Sequence, residues 1–140
     1  MVKFTFALFA AAVVGTLSMA APVTKRADSS IFAASNQYSG RATWFTGSYG
    51  ACNINWDGNT EPIVAMSALM MGAESWGNPA CGKLVRITLK SDPSKSVEAR
   101  VVDKCPGDEC SYGSLDLSPA AFQQLGDLGT GVLDIEWSFV

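Results

Sequence analysis

From Gly40 onward the chain alternates apolar and polar side chains in short bursts, separated by turn residues. Leu133-Asp134-Ile135-Glu136-Trp137-Ser138-Phe139 is the clearest burst, with every apolar member on one face. Leu84 to Leu89 and Val97 to Val101 alternate in the same way, and Arg41 to Phe45 and Pro62 to Met66 read as further strands. A period of two is the mark of a half-buried strand. Five or six such strands with no long helix between them predict an all-β barrel or sandwich. Two short helices interrupt the pattern. Ser67 to Gly72 opens on a capping serine and closes on glycine. Ser118 to Gly126 has a serine N-cap, proline in the first helical position and glycine at its end. Phe122 and Leu125, three apart, are expected to face the barrel. Met66, Met70 and Met71 are expected to fill core, as are Trp137 and Phe139. Residues 27–38 are small and polar without a period, and read as a mobile tail preceding a domain at 39–140.

The first twenty residues stand apart from this pattern. Lys3 precedes an apolar run from Phe4 to Leu17, and Ser18-Met19-Ala20 offers small residues at a cleavage site. That is the layout of a secretory signal peptide, residues 1–20. The run is short for a bilayer core, which disfavours a membrane anchor. Lys25-Arg26 then reads as a dibasic processing site closing a leader, residues 21–26, with a mature start at Ala27 in the manner of fungal secreted proteins. The expected location is therefore extracellular or cell wall.

Charge and cysteine content narrow the function classes. Removing residues 1–26 takes away Lys3, Lys25 and Arg26 but no acid, leaving seven bases against thirteen acids. An acidic domain without clustered Lys and Arg is unsuited to nucleic acid or anionic membrane. No histidine occurs, so Ser-His-Asp and Cys-His catalysis are absent. The four cysteines, Cys52, Cys81, Cys105 and Cys110, lack the paired spacing of a zinc knuckle. In an oxidising compartment they read as two disulfides, with three connectivities open. No metal or cofactor is expected, and the domain is expected to act as a monomer.

The chemistry-bearing candidates are two carboxylates. Asp103 follows an alternating strand, and Asp116 lies just before the Ser118 cap, where a helix dipole favours negative charge. Between them Cys105 and Cys110 enclose a short loop. Two carboxyls roughly 5–9.5 Å apart meet the geometric demand of glycoside hydrolysis. Flat aromatics near turns are the usual partners of sugar rings. Of Trp44, Phe45, Tyr49, Trp56, Trp76 and Tyr112, the preferred stacking candidates are Trp44 and Tyr112.

These residues carry a resemblance. Gly40-Arg41-Ala42-Thr43-Trp44, Gly50-Ala51-Cys52, Pro62 to Ser67, Cys81-Gly82, Val102-Asp103-Lys104-Cys105-Pro106, Leu115-Asp116-Leu117-Ser118-Pro119 and Gly131 to Trp137 occur in the order seen in the expansin-like, RlpA-like and barwin-like double-psi β-barrel proteins. The chain resembles in particular the single-domain fungal members called loosenins. The resemblance implies a six-stranded double-psi barrel with two short helices, and disulfides Cys52–Cys81 and Cys105–Cys110. It further implies a groove in which Asp116, the aspartate of the D-L-S motif, is required for wall loosening and is flanked by Thr43 and Asp103.

Departures from the family pattern sharpen the expectation. Related endoglucanases use a first-strand aspartate as base, whereas no Asp or Glu occurs between Asp28 and Asp57. Without a base, inverting hydrolysis has no obvious route. A tyrosine found in bacterial expansins two residues after the Asp103 position is Cys105 here, and the carbohydrate-binding second domain of full expansins does not follow. The expected function is a secreted, non-hydrolytic protein that binds and loosens insoluble polysaccharide such as cellulose or chitin. Two alternatives stand beside it: a single-acid lytic transglycosylase or glycanase of the RlpA type, and a protein-binding defence, effector or protease-inhibitor protein.

Overall fold

The computed structural model describes residues 29–140. The expected signal peptide and dibasic leader lie outside the described residues. Six strands close into a barrel: β1 (Tyr38–Trp44), β2 (Ile63–Ser67), β3 (Leu84–Leu89), β4 (Asp92–Cys105), β5 (Leu115–Leu117) and β6 (Leu133–Phe139). Their order around the barrel is β1-β5-β2-β4-β3-β6. β1 pairs parallel with β5, and β2 parallel with β4. The other contacts, β2 with β5, β3 with β4, β3 with β6 and β1 with β6, are antiparallel.

Alternation sets the inside of the barrel. Ala42, Val64, Met66, Val85, Ile87, Val101, Leu115, Leu117, Ile135 and Trp137 point inward and are essentially fully buried, joined by Phe139. Met70 and Met71 belong to the same core, as expected of the methionines. The helices are short: α1 (Ala68–Met71) and α2 (Pro119–Phe122). Ser67 Oγ accepts from Leu69 N, and Gly72 closes α1 at φ 78°. Ser118 Oγ accepts from Ala121 N at the start of α2. Such caps satisfy amide groups that a helix this short leaves unpaired. Beyond Phe122 the expected helix continues only as turns, yet Leu125 is fully buried with Phe122.

Both disulfides pair as the family resemblance implies. Cys52–Cys81 has a Cα separation of 5.5 Å and Cys105–Cys110 of 5.8 Å. The first ties the loop after β1 to the segment before β3. The second staples the loop between β4 and β5.

Three expectations change. The stretch expected as a mobile tail carries a 3-10 turn at Ser29–Phe32 and runs into β1 at Tyr38. Phe32 meets Phe139 edge-on at 5.1 Å, and the Tyr38 hydroxyl donates to Ile31 O at 2.7 Å. Here a few irregularly spaced apolar residues close one end of the barrel, so no period announces them. Asp103 does not follow its strand but lies within β4, which runs on to Cys105. Asp116 lies two residues before the Ser118 cap, as expected, but in a strand of three residues, too short to reveal a period.

Candidate functional site

Four residues line up across four adjacent strands. Thr43 on β1 pairs with Asp116 on β5, Asp116 with Ala65 on β2, and Ala65 with Asp103 on β4. Leu115 and Leu117 are fully buried, so Asp116 between them projects to the outside of the barrel. Both aspartates flank the same Ala65, which puts their Cα atoms two strand spacings apart, about 10 Å. Ala65 packs with Phe45 and the Cys105–Cys110 bridge, giving the row an apolar floor.

The two carboxylates are held differently. Asp116 Oδ1 accepts from Thr43 Oγ1 at 2.8 Å. Burial pushes the Asp116 carboxyl above its ordinary range; the Thr43 bond pulls it partly back, and the negative fields of Glu109 and Asp103 push it up again. Loss of hydration disfavours the charged form, and like charges add to that. Asp103 Oδ1 accepts two backbone amides, Ala51 N at 2.7 Å and Lys104 N at 2.8 Å. Gly50 is what lets that loop approach. A Cβ at this position would overlap the Asp103 carboxyl group. The row therefore combines an anchored carboxylate with a second carboxyl that holds its proton more tightly than usual.

Lys104 reaches over the barrel end from the neighbouring position. Its Nζ donates to the carbonyls of Gly72 (2.8 Å), Ala73 (3.2 Å) and Glu74 (2.6 Å), fixing the loop after α1. Its withdrawal from water pushes its pKa down.

The expected aromatics do not gather at the row. Successive residues of a strand face opposite ways, so Thr43 and Phe45 share a face and Trp44 looks the other way. The Trp44 indole N–H donates to Leu128 O at 3.0 Å. Tyr112 lies near Tyr38, with ring centroids 6.4 Å apart, at the start of β1. Six residues of strand, about 20 Å, separate that end from Trp44. Trp56 is buried with Ile63 and Val102 and is no surface platform. The exposed ring beside the row is instead Tyr49, adjacent to Gly50, with its hydroxyl bonded to Asn53 Oδ1. From the sequence Tyr49 reads only as a turn aromatic and Gly50 only as part of a family motif, and Glu109 carries no role. A glycine before Ala51-Cys52 was the available signal for a close backbone approach. Among the described residues no group of three or more His, Cys, Asp or Glu side chains is placed to hold a metal ion.

Comparison with known proteins sets this geometry in context. The papain inhibitor of Streptomyces mobaraensis is 32% identical over 143 residues, covering 99% of this chain and 93% of the inhibitor. The solved Streptomyces papain inhibitor superposes with a TM-score of 0.66 at 32% identity, over 76% of this chain and 96% of that one. The "Allergen Asp f 7 homolog" of Arthroderma benhamiae is 33% identical over 122 residues; the match takes in 77% of this chain but only 41% of that relative's length. An expansin variant of Clavibacter michiganensis, solved with cellohexaose, matches with a TM-score of 0.59 at 27% identity, over 75% of this chain and 50% of the expansin. The Barwin family matches residues 32–139, and with its closed six-stranded barrel and two disulfides the chain belongs to that family, within the double-psi β-barrel proteins.

Proposed function

We propose that this protein is secreted and binds insoluble cell-wall polysaccharide through the outer face of β1, β5, β2 and β4, loosening the polymer without hydrolysing it. The observation that carries the reading is the Thr43–Asp116–Ala65–Asp103 row. Asp116, whose proton affinity burial raises, exchanges a hydrogen bond with a sugar hydroxyl while Thr43 Oγ1 donates to its Oδ1. Asp103, anchored by two amides through Oδ1, accepts from a sugar hydroxyl through Oδ2. A polymer chain that satisfies its hydroxyls on this row gives up hydrogen bonds to neighbouring chains, which weakens the packing without a bond being cut. β1, Tyr-Ser-Gly-Arg-Ala-Thr-Trp, presents no carboxylate to activate a water, which supports a non-hydrolytic role. The cellohexaose-bound expansin relative supports the polysaccharide class.

The test uses the secreted protein with cellulose, chitin and peptidoglycan, following binding, mechanical weakening and soluble sugar in the same samples. Binding and weakening without released sugar are expected, and Asp116→Asn is expected to lose weakening while staying folded. A folded, fully active Asp116→Asn variant sinks the reading, and released anhydro-sugars would favour a single-acid transglycosylase.

A second reading, a protein-binding inhibitor, is favoured by one observation: the papain inhibitor relative matches over nearly the full length of both chains. Inhibition of papain that is indifferent to Asp116→Asn would move the assignment there.

A further inference from the structure

β1 and β5 carry Thr43 and Asp116, and the segments that follow them frame a cavity of about 280 Å³. Thr46, three residues past Thr43, lines one side, and Pro119, three past Asp116, lines another. The cavity equals the liquid share of about nine water molecules. That suits one sugar ring.

Its walls are unusual in what they leave open. Gly47 and Gly58 both line it, and neither adopts a positive φ. A Cβ on Gly47 would sit 3.5 Å from Phe45 Cε2 and 3.6 Å from Trp56 Cζ2; on Gly58, 3.4 Å from the Ser118 Cβ. These are ordinary contact distances, so neither backbone conformation nor packing requires glycine here. What the two glycines preserve is empty volume.

Trp56 forms a further wall and is only 5% exposed. Its indole N–H is buried without a hydrogen-bond partner, the one such side-chain atom among the described residues. Cζ2, on the N–H-bearing side of the ring system, is the Trp56 atom nearest to Gly47. Buried donors almost always have an acceptor, and an orphan in a native fold calls for one. The side chains of Thr46 and Ser48 line the same cavity, as does Asn59, and none of them makes a hydrogen bond within the described residues. Asp57 also lines it, with Oδ1 accepting from Asn59 N and Oδ2 from Thr60 Oγ1. Its charge disfavours an anion. The Pro119 ring adds an apolar surface of the kind that covers the C–H face of a sugar.

We infer that this cavity is a binding site for a single uncharged pyranose, a terminal or side-branch ring of a glycan, with the Trp56 ring as one wall and Thr46, Ser48 and Asn59 as its polar partners. The inference rests on the polysaccharide reading for the identity of the ligand and extends it to a half-open subsite beside the Thr43–Asp116 pair.

The experiment is an NMR titration of the mature protein with methyl β-glucopyranoside, methyl N-acetyl-β-glucosaminide and cellotetraose, observing the Trp56 indole proton. Saturable movement of that signal with at least one probe is expected. Gly47→Ala and Gly58→Ala should each weaken that probe about tenfold or more, the range for one added methylene in a fitted pocket, while melting as the parent does. An unmoved Trp56 signal with all three probes overturns the inference, as does an unchanged affinity in both alanine variants. Cellulose pull-down of Asp116→Asn, run alongside, separates the two ideas. Lost pull-down with a Trp56 shift still present supports both the row and the cavity. Pull-down insensitive to Asp116→Asn with the shift present removes the row and leaves the cavity standing.

Discussion

Thr43 Oγ1 donates a 2.8 Å hydrogen bond to Asp116 Oδ1 across the parallel β1–β5 pair. The two residues are 73 positions apart; their pairing gives the carboxyl group on the outer face of the barrel a partner, while burial raises its proton affinity. Thr43 opposes that rise by stabilising the charged form, and burial outweighs it.

The raised affinity makes a pH-dependent contribution to stability. A carboxyl whose folded pKa lies above its unfolded value of 3.8 binds more protons when folded. Its contribution is complete below that value and is lost as pH rises through the folded pKa. Asp116→Asn removes the titration and keeps an oxygen for Thr43. Thermal midpoints of the two proteins should diverge in favour of the variant between acidic and neutral pH; a constant difference across that range contradicts the assignment.

Glu109, inside the Cys105–Cys110 loop, is one of the two charges acting on Asp116. Glu109→Gln should lower the Asp116 pKa, and Thr43→Val should raise it. Carbon-13 NMR titration of the Asp116 carboxyl reads both directions directly. A shift of the same sign in both variants would contradict the arrangement.

Gly50 is the site where a single methyl does most damage to the row. Gly50→Ala would place its Cβ in the Asp103 carboxyl group and break the 2.7 Å bond from Ala51 N. Overpacking of this kind costs about 1–3 kcal/mol. Urea unfolding should show that loss, and the Ala51 amide should exchange faster with solvent.

The two disulfides should contribute unequally. Cys52–Cys81 closes a sequence separation of 29 and Cys105–Cys110 one of 5. The loop-entropy relation gives about 3.6 kcal/mol for the first and about 2 kcal/mol for the second. Paired Cys→Ala variants compared by denaturant unfolding test the order; an equal or reversed order would indicate that strain or native contacts outweigh loop closure.

Lys104→Met leaves the carbonyls of Gly72, Ala73 and Glu74 without their shared ammonium donor. Hydrogen bonds to a charged group contribute roughly 1.5–3 kcal/mol. Hydrogen exchange in residues 72–76 should accelerate while the β3 and β6 amides stay protected.

Local sequence determined the elements whose signal repeats within a few residues. β3 and β6 were legible because Leu84 to Leu89 and Leu133 to Phe139 alternate long enough to show a period. The Ser67 and Ser118 caps were legible because capping chemistry is local. The family motifs further named Thr43, Asp103 and Asp116 as one group and implied both cysteine pairings. Tertiary structure decided the rest. β5 is three residues long and takes its strand geometry from β1 and β2 on either side, so no window of sequence contains its cause. Trp44 was legible as an aromatic near a turn, but the strand's alternation turns it from the face that Thr43 shares with Asp116. Tyr49 and Gly50 acquire their meaning only because the loop after β1 folds back against Asp103 on β4. The proton affinity of Asp116 and the orphaned indole of Trp56 are likewise products of burial by distant segments. Periodicity and capping are short-range and can be read along a chain, whereas burial and charge proximity depend on which strands become neighbours when the barrel closes.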